Sequence, residues 1–241
     1  MSAPVEHLVF DSSAELVATA AARFIATVTA AQDARGVATV ALTGGSNGIA
    51  LLRELARHPR ALDWSRIELY WGDERFVPAE DPERNSLQAR EALLDHVPVE
   101  GARVHAAAPS DGEFGDDIDA AAADYARRLG SGTVFDIHLL GMGGEGHVNS
   151  LFPHSAATAE DSRPVVAVTD SPKAPPRRIT LTFPVINASR EVWFLVSGAE
   201  KAEAVAAAAS GAAREDWPCA GAHGVENTVW FLDRAAASQL S

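Results

Sequence analysis

Two hydrophobic rhythms alternate along the chain. Short unbroken apolar runs stand between longer stretches in which apolar residues return every three or four positions. Leu16, Ala20, Phe24 and Val28 keep the second rhythm behind Ser12 and Glu15, which have capping-box spacing, and predict a helix. Val37–Leu42 reads as a strand, and Thr43-Gly44-Gly45-Ser46 as the turn into a helix from about Asn47 to Arg57. Ile67–Trp71 predicts a second strand, ending at Gly72-Asp73-Glu74-Arg75. Pro78–Asn85 is polar and proline-bearing and predicts a loop; Ser86–Leu94 returns to helix. Asp117–Leu129 is an alanine-rich helix leading to the strand Phe135–Leu140. Val165–Val168, Arg178–Thr182 and Glu191–Val196 are rich in strand formers, Ala199–Ser210 predicts the last helix, and Thr228–Leu232 the last strand. Strands alternating with helices imply a mostly parallel sheet covered on both faces, one α/β domain over residues 1–241.

Ligands of open α/β sheets gather at the carboxyl ends of strands. Three glycine-marked loops end strands here: Thr43–Gly48, Gly72–Phe76 and Gly141–His147. The third, Gly141-Met142-Gly143-Gly144-Glu145-Gly146-His147, closes on a histidine with a carboxylate two residues before it, the layout of a catalytic mouth. In the first, free N–H groups at a helix start suit a phosphate, although ordinary capping by Ser46 or Asn47 needs no ligand. Gly44-Gly45-Ser46-Asn47-Gly48 also matches the nucleophile elbow of serine hydrolases, with Ser46 as nucleophile. That reading ranks lower, because an elbow normally follows several strands and this one follows only the first evident strand. Gly141, Gly143 and Gly146 fit a dinucleotide fingerprint with Asp170 beyond, but no helical pattern begins at 148–153, so the nicotinamide reading is rejected. Lys173, Arg177 and Arg178 precede a strand, and Lys201 lies in the first turn of a helix where the dipole disfavours a cation. Arg178 and Lys201 read as contacts to a small anionic ligand, Arg177 as a solvated charge.

Charge and composition narrow the partners. Twenty Lys+Arg stand against 33 Asp+Glu, a net charge of −13, which argues against a nucleic acid or an anionic membrane. A lone cysteine, Cys219, excludes an internal disulfide framework and fits a reducing cytoplasm. No apolar stretch approaches a membrane span, and the remaining histidines show no metal-ligand spacing. The expectation is a cytoplasmic protein, monomeric or a small homo-oligomer, acting on a small molecule without metal.

Taken together, these segments resemble the 6-phosphogluconolactonases, the sugar-phosphate lactonases of the pentose phosphate pathway. The resemblance runs from about Phe10 to Asp233. It rests on the order of Thr43–Ser46, Trp71–Val77, Asn85-Ser86, Gly141–His147 with Ser150–Pro153, Lys173–Thr180, Gly198–Ala202 and Thr228–Asp233. It implies a Rossmann-like three-layer α/β/α sandwich, hydrolysis of 6-phospho-D-glucono-1,5-lactone, and no required cofactor. On that basis His147 is expected to be the acid/base, oriented by Glu145, with Arg75 at the oxyanion and Asp73 as a second acid/base candidate. The phosphate is expected on Gly44, Gly45 and Ser46, neutralised by Lys173, Arg178 and Lys201. The chain departs from the family's usual pattern at Glu145, Asn149 and Asn47-Gly48, where Asp, Ala and Thr-Pro are common. Glucosamine-6-phosphate deaminases/isomerases, related by fold, carry a glutamate where Phe152 stands, which favours hydrolysis here. A serine esterase and a non-catalytic sugar-phosphate sensor are the other readings.

Overall fold

The computed structural model describes residues 3–240. Its elements in chain order are β1 (Val5–Phe10), α1 (Ser13–Arg35), β2 (Ala38–Leu42), α2 (Gly45–Ala56), β3 (Ile67–Trp71), β4 (Asp73–Arg75), α3 (Asn85–Ala92) and β5 (Val104–His105). They continue as α4 (Ile118–Leu129), β6 (Ile137–Leu140), β7 (Val165–Val168), β8 (Arg178–Leu181), α5 (Phe183–Ile186), β9 (Glu191–Val196), α6 (Ala202–Ala209) and β10 (Asn227–Asp233). Seven strands form one parallel sheet in the order β1-β10-β9-β6-β2-β3-β5. Helices cover both faces, giving a three-layer α/β/α sandwich. One face packs Phe24 and Val28 of α1 with Leu51 of α2 and Ala89 of α3 against Val40, Leu69 and Trp193. On the other, Tyr125 of α4 meets Ala41 and Tyr70, and Val205 of α6 meets Phe194 and Trp230. Strands buried on both sides explain why β6 and β9 read as apolar runs without alternation.

Helix α1 corrects one expectation: it is long and apolar enough by length and composition to cross a membrane. Much of its apolar surface faces the sheet instead, with Leu16, Ala20, Phe24 and Val28 almost fully buried. The Ser12 hydroxyl accepts from the Glu15 N–H at 3.2 Å, and Gly36, at φ 82°, ends the helix by donating to the Gln32 carbonyl. Truncating Phe24 to alanine would cost about 3–5 kcal/mol.

A second correction concerns the middle of the chain. Residues 73–75, expected in a loop, form β4, and β7 and β8, expected in the parallel sheet, pair instead with β4 in a separate antiparallel sheet of order β4-β8-β7. Three consecutive charged residues can form a buried strand because their polar atoms are satisfied. The Glu74 carboxylate accepts the backbone N–H groups of Arg75, Asn85 and Ser86 at 2.7–2.9 Å, taking the start of α3 as its cap. Two further strands, β1 and the two-residue β5, sit at the sheet edges, where no apolar run announces them.

The order of strands has a switch point. From β2 the chain steps outward through β3 to β5, while β6, β9 and β10 build the other way. The crevice therefore lies where the loops after β2 and β6 leave neighbouring strands.

Candidate active site

The loops after β2 and β6 are tied across the switch point: the Gly141 N–H donates to the Thr43 hydroxyl at 3.1 Å. Two adjoining cavities open there, sharing Gly44, Gly45, Gly141 and Met142 in their walls.

The first, of about 130 Å³, is lined by Thr43, Asp73, Arg75, Asn85, His147, Asn149 and Arg178 along with the shared residues. His147 keeps 17% of its side chain exposed. Its Nδ1 lies 2.9 Å from Glu145 Oε1, leaving Nε2 free of any protein partner among the described residues. Gly146, at φ +79°, closes the tight loop that folds the carboxylate back onto the ring, and the ring stacks on Phe152 at 4.5 Å between centroids. The hydrogen bond to His147, with help from Lys173, holds the Glu145 carboxyl well below the usual carboxylate range. The longer glutamate thus reaches its histidine.

Asp73 accepts hydrogen bonds on both carboxylate oxygens. Its Oδ2 accepts from the Ser150 hydroxyl at 2.7 Å, and Asn85 Nδ2 reaches Oδ1 at 3.3 Å. Arg178 stands 3.8 Å from the same carboxylate and spends its guanidinium on the carbonyls of Lys173, Ala174 and Pro175. Burial lowers its pKa, yet a guanidinium stays charged. Arg75 donates through Nη1 to the Glu83 carbonyl at 2.7 Å, whereas its buried Nε has no partner among the described residues.

The second cavity, of about 240 Å³, is lined by Gly44, Gly45, Ser46, Asn47, Gly48, Ser197, Glu200 and Lys201 with Leu195, Val196 and the shared Gly141 and Met142. Helix α2 starts here with no side-chain cap and no acidic residue in its first turn. Asn47, a candidate cap by sequence, instead bonds the Leu195 carbonyl and the Ser197 hydroxyl, and accepts from Ser13. The first N–H groups of α2 therefore face a cavity that also holds a lysine, a setting for an anion.

The cations expected together are separated. Lys201 lines the second cavity and Arg178 the first. Lys173 lines neither; its ammonium sits on Glu145 at 2.9 Å. Ser46 and His147 belong to different cavities, and among the described residues no histidine is hydrogen-bonded to the serine hydroxyl. Val148 and Leu151 form a β-bridge where a dinucleotide site needs a helix. Among the described residues, no three His, Cys, Asp or Glu side chains gather as a metal-ligand set.

Sequence reading missed Asn85 and Asn149 as parts of the site. Their amide oxygens, both buried and without a partner among the described residues, occupy the space a Cβ would fill at Gly44 and Gly72 respectively. Asn149 sits at φ 49° and reaches the core histidine His138 through Nδ2 at 3.4 Å. Nothing short of the folded contacts links these asparagines to their glycines.

The family model described as "Glucosamine-6-phosphate isomerases/6-phosphogluconolactonase" matches residues 11–230. The chain is 55% identical to the 6-phosphogluconolactonase of Mycobacterium tuberculosis over 247 residues, covering 100% of this chain and 99% of that relative. It is 53% identical to the 6-phosphogluconolactonase of Streptomyces coelicolor, covering 97% and 94%. The solved 6-phosphogluconolactonase of Trypanosoma brucei superposes with a TM-score of 0.88 at 27% identity, covering all of both chains.

Proposed function

The chain belongs to the glucosamine-6-phosphate isomerase/6-phosphogluconolactonase family, and we propose that it hydrolyses 6-phospho-D-glucono-1,5-lactone to 6-phosphogluconate, in the oxidative pentose phosphate pathway, by histidine-assisted attack of water. The observation that carries this reading is the pairing of two adjoining cavities. One holds an imidazole with a free nitrogen, and the other an uncapped helix start beside Lys201.

The lactone carbonyl sits in the first cavity, facing Nε2 of His147. Water adds to the carbonyl carbon while Nε2 takes its proton, and Glu145 supports the resulting imidazolium through Nδ1. The negative charge that develops on the carbonyl oxygen is met by Arg75, which lines the same cavity as His147. The bond from the carbonyl carbon to the ring oxygen then breaks, and the imidazolium returns the proton to that oxygen. The 6-phosphate rests on the N–H groups of Gly45 and Ser46, with Lys201 as counter-charge. Asp73 orders the site through Ser150 and Asn85.

A positioned base contributes about 10²–10⁴-fold. This lactone also opens unaided in water, so that contribution plus oxyanion stabilisation suffices without a covalent nucleophile. Phe152 against His147 supports hydrolysis over isomerisation, since the deaminases place a glutamate there. The test is lactone hydrolysis by the purified protein, with the product oxidised by an excess of 6-phosphogluconate dehydrogenase and spontaneous opening subtracted. Turnover above the spontaneous rate is expected for the phosphorylated lactone and much less for gluconolactone. No turnover above background would overturn the reading.

A further inference from the structure

Lys173 is anchored at its base and spent at its tip. Its backbone carbonyl accepts from Ser171 Oγ and from Arg178 Nη2, at 2.9 and 3.0 Å, and its N–H donates to Ser171 Oγ. Its ammonium meets both oxygens of Glu145, at 2.9 Å to Oε1 and 3.0 Å to Oε2. Oε1 is the atom that also holds His147 Nδ1. Resting on the lactonase reading above, we propose that Lys173 is a positioning residue, fixing the Glu145 carboxylate against His147 rather than binding the phosphate.

A carboxylate bonded only to an imidazole can rotate about its last bond; a cation across both oxygens removes that freedom. The same cation takes up part of the carboxylate's charge, so Glu145 stabilises an imidazolium less than it would alone. The other charged groups around the ring are Asp73, Arg75 and Arg178, which line its cavity. Glu200 and Lys201 lie in the adjoining one, with the Glu200 carbonyl packed toward Gly144. Among these, Lys173 is the cation in hydrogen-bond contact with Glu145. Arg178, by holding the carbonyls of residues 173–175, sets where that cation stands. Lys173 is nearly half exposed, so its effect is moderate and weakens with salt.

Lys173→Ala, Lys173→Met and Lys173→Arg are compared with the wild type by pH–rate profiles on the phosphorylated lactone. For Lys173→Ala and Lys173→Met, the acid limb of kcat should move to higher pH. Plateau kcat should fall about tenfold and KM stay within about twofold. Lys173→Arg should restore the limb, and high salt should shrink the difference. A tenfold rise in KM with an unmoved limb would make Lys173 a phosphate contact; unchanged kcat, limb and KM would make it a surface charge. Either result overturns the proposal. Lys173→Met keeps the aliphatic stem, so a folding defect confined to the alanine variant leaves the comparison intact. Absence of wild-type turnover, or a fully active His147→Ala, removes the lactonase reading. His147-dependent turnover with an unmoved limb in the Lys173 variants removes this inference alone.

Discussion

Gly143 packs so closely against His147 that a Cβ at position 143 would overlap the imidazole Nδ1 and crowd the Glu145 carboxylate at 2.6 Å. This glycine is required for room rather than for an unusual backbone angle. Gly143→Ala should push the ring off Glu145 and lower kcat by about 10²-fold or more, while costing about 1–3 kcal/mol of stability. Steady-state kinetics beside a denaturation curve checks this; wild-type kcat would show that catalysis does not depend on the ring's contact with Glu145.

The second cavity gives a different signature. Lys201→Ala should raise KM for the phosphorylated lactone by about 10- to 100-fold with little change in kcat, because a charge-assisted hydrogen bond is worth about 1.5–3 kcal/mol. Affinity for 6-phosphogluconate, measured calorimetrically, should fall in parallel. Ser46→Ala should retain turnover, and fluorophosphonate should not label Ser46; a serine esterase requires the opposite of both.

Gly44 and Asn85 should behave as a coupled pair. A methyl group at 44 meets the Asn85 amide, so Gly44→Ala is expected to destabilise by about 1–3 kcal/mol. With Asn85→Ala the space opens, and the double variant should be more stable than the sum of the single losses predicts. Urea denaturation of all four proteins measures this; strict additivity would count against the packing described.

His138 supplies a pH dependence. Burial pushes this histidine down to about 3 from an ordinary 6.5, so the folded chain holds it neutral. Between those values the unfolded chain binds a proton that the folded one refuses, so stability is fully present above pH 6.5 and is lost as the pH falls toward 3. The loss approaches about 1.4 kcal/mol per pH unit for one such proton. Unfolding free energies at about pH 7.5 and about pH 5.5, on either side of the unfolded histidine's pKa, should differ by less in His138→Phe than in the wild type, whatever the absolute stability of the variant. An unchanged difference would refute the assignment.

Much of the frame was legible because buried parallel strands leave unbroken apolar runs. Ile67–Trp71, Val165–Val168 and Glu191–Val196 have the same limits in the sequence pattern and in the structure. The partner sheet of β7 was not legible, since a run of apolar residues does not state whether its neighbour is parallel. Strand β4 was hidden because Asp-Glu-Arg carries the chemistry of a surface loop and becomes a strand only when Ser150, Asn85 and the start of α3 satisfy its carboxylates. The loop that closes on His147 was legible from its glycines. The division of the cations was not: Lys173 and Lys201 look alike as charges, and only the path of the loop before β8 sends the first to Glu145. Asn47 likewise read as a cap and serves instead as a cross-brace between α1, α2 and β9.

The most direct measurement is the coupled lactone assay on His147→Ala beside the wild type, with spontaneous opening subtracted at each substrate concentration. In His147→Ala, kcat should fall by about 10²–10⁴-fold with KM close to the wild-type value, because Lys201 and the α2 start still hold the phosphate. Wild-type kcat in His147→Ala would contradict histidine-assisted attack.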